Sequence, residues 1–141
     1  YIRSGVEQGA RLVTGGKRPP GLDRGWFLEP TIFADLDNSF RVAREEIFGP
    51  VVSVIPYADL DEAVRIANDS DYGLAAMIVG SNSLTAVEVG KRLRTGSVWI
   101  NQGGNMAHGP FGGFKLSGLG REGGAFGMHE FTEIQHLAWK S

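Results

Sequence analysis

Two rhythms of apolar and polar positions run along the second half of this chain. Val51 to Ile55 is a near-continuous apolar run, the signature of a strand covered on both faces. Asp59 follows as a helix N-cap, with Glu62 in the capping-box position. Leu60, Ala63, Val64 and Ala67 then fall at i, i+3, i+4 and i+7, which predicts one apolar helix face. Gly73 to Val79 reads as a second buried strand. A second helix opens near Ser83, with Ala86, Val89, Gly90 and Leu93 on its apolar face. Gly96 to Asn101 reads as a third strand. Strand, helix, strand, helix, strand at this spacing implies right-handed crossovers and an α/β fold built on a largely parallel open sheet. Ligands of such sheets gather beyond the carboxyl ends of the strands, so the glycine-rich stretch after Asn101 is a place to look for a site.

The first half is less regular. Tyr1 to Ala10 looks like the tail of a helix, and Ala10 to Thr14 like a short strand closed by Gly15 and Gly16. A Pro/Gly loop runs to Gly25. Trp26 to Leu28 and Thr31 to Phe33 are extended pieces separated by Pro30, and Phe40 to Glu45 is a helical turn. At the far end, Phe131 to Trp139 reads as a strand of mixed polarity. It pairs either within its own subunit or with the sheet edge of another chain. The chain begins with Tyr1 in mid-helix and not with Met, so the expected N-terminus is a cut one.

Composition narrows the classes. One hundred and forty-one residues make about one domain, and 42% hydrophobic residues suffice for a core. Fourteen basic against sixteen acidic residues leave a net charge of −2, with no electrostatic footprint for nucleic acid or an anionic membrane. No apolar run approaches the roughly 20 residues of a membrane helix, and no signal peptide is visible, so a cytoplasmic location is expected. The absence of cysteine rules out a disulfide or a thiol nucleophile within these residues. Three scattered histidines give no metal signature. Glycine, at 21 residues, is about twice as frequent as usual and concentrates between Gly103 and Gly127 without a repeat period.

The candidate chemistry starts at Glu45-Glu-Ile-Phe-Gly-Pro50. In an extended segment, positions i and i+2 share a face, so Glu46 and Phe48 can address one ligand. A carboxylate accepts hydrogen bonds from both hydroxyls of a ribose diol, and a Phe ring lies against a flat heteroaromatic ring. The plainer alternative is that the two glutamates end a helix and Phe48 is core. Gly118-Leu-Gly-Arg-Glu-Gly123 formally matches GxGxxG. It neither follows a buried apolar strand nor has an acidic residue about 20 positions on, so it is not expected to be a dinucleotide fingerprint.

Four segments occur together in one order: EEIFGP at 45–50, GSVWIN at 96–101, PFGGFKLSGLGRE at 110–122 and FTEIQ at 131–135. With ANDSDYGLAA between the first two, the whole chain resembles the C-terminal part of an NAD(P)-dependent aldehyde dehydrogenase. The resemblance implies residues 1–130 as part of a catalytic domain and 131–141 as an oligomerisation strand. It assigns Glu46 to the nicotinamide ribose, Phe48 to the nicotinamide, and Phe111 to the mouth of the substrate pocket. Glu122 becomes a charge or proton relay, for which a helix N-terminal glutamate favoured by the macrodipole is the alternative. Arg121 and Glu133 tie the catalytic domain to the subunit interface, and some members hold a monovalent cation near Lys115 and Gly118. Residues 102–109 are expected to border the aldehyde pocket.

The family reaction forms a thiohemiacetal on a Cys thiolate, passes hydride to NAD or NADP, and hydrolyses the resulting thioester to the acid. The Cys and the dinucleotide domain of the family lie N-terminal to the region that matches. The expectation is therefore an aldehyde dehydrogenase parent, a homo-oligomer (dimer or tetramer), whose 141-residue portion is inactive alone. Use of coenzyme A stays open. The alternative is a stand-alone, non-catalytic oligomerisation or binding module of the same fold.

Overall fold

The computed structural model describes residues 1–101, 103–104 and 108–140, in two compact units, Tyr1–Asp69 and Ser70–Ser141. The first unit runs α1 (Ile2–Glu7), β1 (Arg11–Thr14), β2 (Thr31–Ala34), α2 (Arg41–Arg44), β3 (Val51–Val54) and α3 (Leu60–Asn68). Its sheet has the order β1-β2-β3. β1 is antiparallel to β2, and β2 is parallel to β3 in the register Thr31↔Val51 to Ala34↔Val54. The core sits where α1 and α2 close over β2. Phe33 is 0% exposed, with Ala10, Leu36 and Val42 around it. Gly5 is what lets α1 lie so close, because a Cβ there would stand 2.9 Å from the Phe33 ring. Thr31, the buried polar residue of this core, is satisfied. Its Oγ1 accepts from Gly16 N and donates to Glu29 O, each at 2.8 Å.

α3 begins as its sequence predicts. Asp59 Oδ1 accepts from Glu62 N at 2.8 Å, while Glu62 Oε2 accepts from Ala58 N at 2.7 Å, one residue earlier than in an ideal capping box. Its other end is fastened by Asp69. The Asp69 carbonyl accepts from Asn38 Nδ2 and Arg44 Nη1 at 2.9 and 2.6 Å, and its carboxylate pairs with Arg44 at 2.9 Å.

The second unit contains β4 (Tyr72–Gly73), β5 (Ala75–Ile78), α4 (Ser83–Arg92), β6 (Ser97–Ile100), β7 (Phe114–Lys115) and α5 (Gly124–His129). β5 and β6 are parallel, joined by the α4 crossover, and β4 is antiparallel to β7. Asn82 caps α4, its Oδ1 accepting from Leu84 N and Thr85 N at 3.1 Å. Ala86 is buried and Val89, Gly90 and Leu93 are half-buried, the face that the helical period predicts.

Four expectations change. The three central strands do not form one largely parallel sheet among the described residues. They belong to mixed pairings, two parallel and two antiparallel, in three small sheets. The apolar run 73–79 is divided at Leu74, because β4 takes β7 as its partner while β5 takes β6. Within these residues the strands are also covered on one face only. Val52, Val54 and Met77 are exposed, so their apolar runs have only one packed side. Residues 131–140 form no strand and are exposed, since a strand exists only where a ladder partner is present.

Candidate functional site

In the first unit, the segment Glu45–Pro50 leaves α2 and enters β3. It holds two adjacent carboxylates with different surroundings. Glu45, the C-cap of α2, turns extended, and its Oε2 accepts from Tyr1 Oη at 2.6 Å and Arg41 Nε at 3.0 Å. The Arg41 guanidinium also lies 4.4 Å over the Tyr1 ring. The bond from Tyr1, then that from Arg41, holds the Glu45 carboxyl below the ordinary glutamate value. The same bond to Glu45 raises the Tyr1 hydroxyl. Glu46 is exposed and makes no hydrogen bond or ion pair among the described residues.

Ile47 turns inward and packs on the core around Phe33. Phe48 is 94% exposed, so it takes no part in the core formed by these residues. Its φ is +55°, so the segment is not extended through Phe48 as the i, i+2 reading assumes. A bulky side chain in the left-handed region is a genuine outlier, and such strain collects at ligand-binding positions. The segment rejoins the sheet through Pro50 O, which accepts from Thr31 N at 2.8 Å.

An exposed carboxylate with free acceptor sites beside an exposed ring suits a ribose diol attached to a flat heteroaromatic ring. The residues present thus fit the nicotinamide end of a dinucleotide.

In the second unit, residues 110–122 double back on themselves. Phe111 and Glu122 form an antiparallel bridge whose two N–H···O bonds measure 2.7 Å each. Arg121 ties the two limbs together, its Nη1 donating to Gly113 O at 3.0 Å and Gly120 O at 2.8 Å. Its guanidinium lies 5.3 Å from the Phe114 ring, with Arg94 at 5.2 Å from the same ring. A Cβ at Gly96 would overlap the Gly112 carbonyl, so β6 and this ribbon touch backbone to backbone.

Phe111 is 38% exposed, and the Glu122 side chain is exposed without a bonded partner among the described residues. Glu122 precedes the N-cap Gly123 of α5 and lies outside that helix's first turn, which weakens the macrodipole alternative. Lys115 has φ +55° and donates from Nζ to Ser70 O at 2.8 Å, and Gly118 has φ +136° in the turn that follows. Gly118 to Gly123 opens no long helix, consistent with its exclusion as a dinucleotide fingerprint.

Glu133 lies in the exposed tail. Of the segment expected to border an aldehyde, Gln102, Asn105, Met106 and Ala107 lie outside the described residues. Among the described residues no helix is long and apolar enough to cross a membrane. The Tyr1–Arg41–Glu45 cluster escaped the sequence reading. Arg41 and Glu45 stand at the i, i+4 spacing of a helical ion pair, but nothing in the sequence brings Tyr1 to them across 44 positions.

The profile of the aldehyde dehydrogenase family matches residues 1–137. A Staphylococcus saprophyticus relative assigned to the aldehyde dehydrogenases is 52% identical over 139 residues, covering 98% of this chain and 29% of that protein. The Mycobacterium tuberculosis aldehyde dehydrogenase complexed with NAD+ superimposes with a TM-score of 0.90 at 49% identity, over 94% of this chain and 28% of that one. A variant of Pseudomonas syringae aldehyde dehydrogenase C, complexed with NAD+ and octanal, gives 0.89 at 47% identity, over 94% and 27%. The chain thus spans under a third of the length of these relatives. A family match across 137 of its 141 residues leaves one assignment: the chain belongs to the aldehyde dehydrogenase family.

Proposed function

We propose that this chain is the part of an NAD(P)-dependent aldehyde dehydrogenase that grips the nicotinamide end of the cofactor and borders the aldehyde. The observation that carries the proposal is the segment after α2, where Glu46 and Phe48 stand exposed while their neighbours are fastened down. Glu46 accepts from the ribose hydroxyls, and Phe48 lies along the nicotinamide ring and sets its face. The cofactor supplies the hydride acceptor. Phe111 lines the approach of the aldehyde, and Glu122, bridged to it through the backbone, moves a proton or steadies charge. Arg121 and Glu133 belong to the subunit interface, and the turn at Lys115 and Gly118 is where a monovalent cation would be held.

These 141 residues contain no cysteine, so the thiolate that attacks the carbonyl comes from elsewhere in the working enzyme. The two solved relatives named above are complexed with NAD+, and NADP stays open for this chain.

The test is a chimera in which this chain replaces the segment it superimposes on in the Mycobacterium tuberculosis enzyme. Aldehyde-dependent NADH formation by the chimera, and none by the 141-residue chain alone, is the expected result. An inactive chimera that folds and still binds NAD+ would overturn the proposal for the pocket residues. Turnover by the chain alone would overturn the need for an outside thiolate.

A second reading, an oligomerisation module, draws support from Phe131, Ile134, Leu137 and Trp139, all exposed in the tail. Such side chains on an unpaired extended segment suit strand pairing with a second copy. The two readings are compatible in a homo-oligomeric enzyme.

A further inference from the structure

α2 is a four-residue helix, too short to hold its own conformation. α1 holds it at both ends. Gln8 Oε1 accepts from Arg41 N at 2.9 Å, and Tyr1 donates to Glu45 at 2.6 Å. The three residues after Glu45 must then turn Ile47 into the core and place Phe48 in a left-handed conformation. A conformation of that kind persists only where its surroundings over-determine it. Two fixed points lie at or beyond the middle of the segment: Ile47 in the core and Pro50 O on Thr31 N. On the near side the fixed point is Glu45, whose Oε2 both Tyr1 and Arg41 engage. Arg41 also pairs with the Glu45 carboxylate at the i, i+4 spacing of α2, Nε to Oε2 at 3.0 Å.

We infer that Tyr1, Arg41 and Glu45 form a latch that fixes the course of Glu46–Phe48, and that these three are positioning residues for capture of the nicotinamide riboside. The inference rests on the cofactor role proposed for Glu46. Glu45 thereby acts through the segment that follows it, with its Oε2 engaged from within the chain by Tyr1 and Arg41.

Two measurements test it. In the 141-residue chain, Glu45→Ala should lower the backbone order parameters at Glu46–Phe48 from about 0.85 to below about 0.6, while Glu45→Gln, which keeps an acceptor oxygen, should preserve them. In the chimera described above, Glu45→Ala should raise the Kd for NAD+ roughly three- to tenfold, as the competent arrangement becomes a minority, with aldehyde KM unchanged. Glu45→Gln should stay near the wild type, and Tyr1→Phe, which removes only the hydroxyl, should fall between. Equal order in wild type and Glu45→Ala overturns the latch, as does a disordered segment with unchanged Kd. The cofactor role of Glu46 fails separately, if Glu46→Gln leaves Kd unchanged while Glu45→Ala still disorders the segment.

Discussion

Replacing Phe48 by glycine should make the first unit more stable and the enzyme worse. Phe48 carries φ +55°, and an L-residue in that region pays about 1–2 kcal/mol in contacts between Cβ and the carbonyl. Glycine removes that strain but costs about 0.5–1 kcal/mol through the greater freedom of the unfolded chain. No burial is lost, because the ring is almost wholly exposed. The difference centres near 0.5–1 kcal/mol of added stability, within a range of about 0 to 1.5. The chain has two compact units, so a global melting curve would blend them. Hydrogen exchange at the β2 amides reports the first unit by itself, and it should slow by a few-fold in Phe48→Gly. In the chimera the same variant should lower kcat/KM for NAD+, since the ring proposed to lie against nicotinamide is gone. A loss of more than about 1 kcal/mol would refute the reasoning, because it would mean that the ring is packed or the backbone unstrained. Stability gained with function lost is the mark of strain kept for binding.

The remaining predictions are simpler to state. Glu46→Gln in the chimera should weaken placement of the nicotinamide ribose and lower kcat about tenfold or more, with hydrogen exchange of the first unit unchanged, because the carboxylate has no partner to lose. Unaltered kcat and cofactor affinity would remove Glu46 from the site. Ending the chain before Thr132 should leave its far-UV circular dichroism unchanged, since residues 131–140 are exposed and form no strand, yet should lower the oligomeric mass of the chimera by light scattering. Asp69 predicts an acid limb. The hydrogen bond from Arg44, then that from Asn38, places its folded pKa below the ordinary 3.8, so its stabilisation is present above about pH 4 and is lost as pH falls through the folded value. Asp69→Asn should flatten that limb in an acid titration followed by circular dichroism.

The local elements were legible wherever residue chemistry decides them. Asp59 with Glu62, and an apolar face of Ala86, Val89, Gly90 and Leu93 opening near Ser83, write two helices, one in cap and period and one in period alone, and both are present. Sheet membership was not legible, because an apolar run states that a strand is covered without naming its neighbour. The run 73–79 satisfied two partners in turn, and its division at Leu74 depends on residues some twenty and forty positions away. At the site, the spacing of Glu46 and Phe48 proposed a ligand face, and both side chains are exposed. The left-handed turn at Phe48 left no trace in the sequence, because nothing about a phenylalanine announces a conformation that its own sterics oppose. The tail was readable as a strand by composition, but the ladder that would make it one has no partner in the described residues.

The division at Leu74 also limits how this lineage can change in length. One continuous stretch of backbone sets two registers, Tyr72 and Gly73 against the glycine-rich ribbon and Ala75 to Ile78 against β6. Removing a single residue there would turn every following side chain of β5 to the opposite face, or else drag the ribbon that carries Phe111 along by the same step. An insertion or deletion is therefore better absorbed by stretches outside 72–78 than within them. The stretch works as a ruler between two registers, and Gly73 on it is fixed as well, because a Cβ there would stand 2.5 Å from the Arg94 carbonyl oxygen.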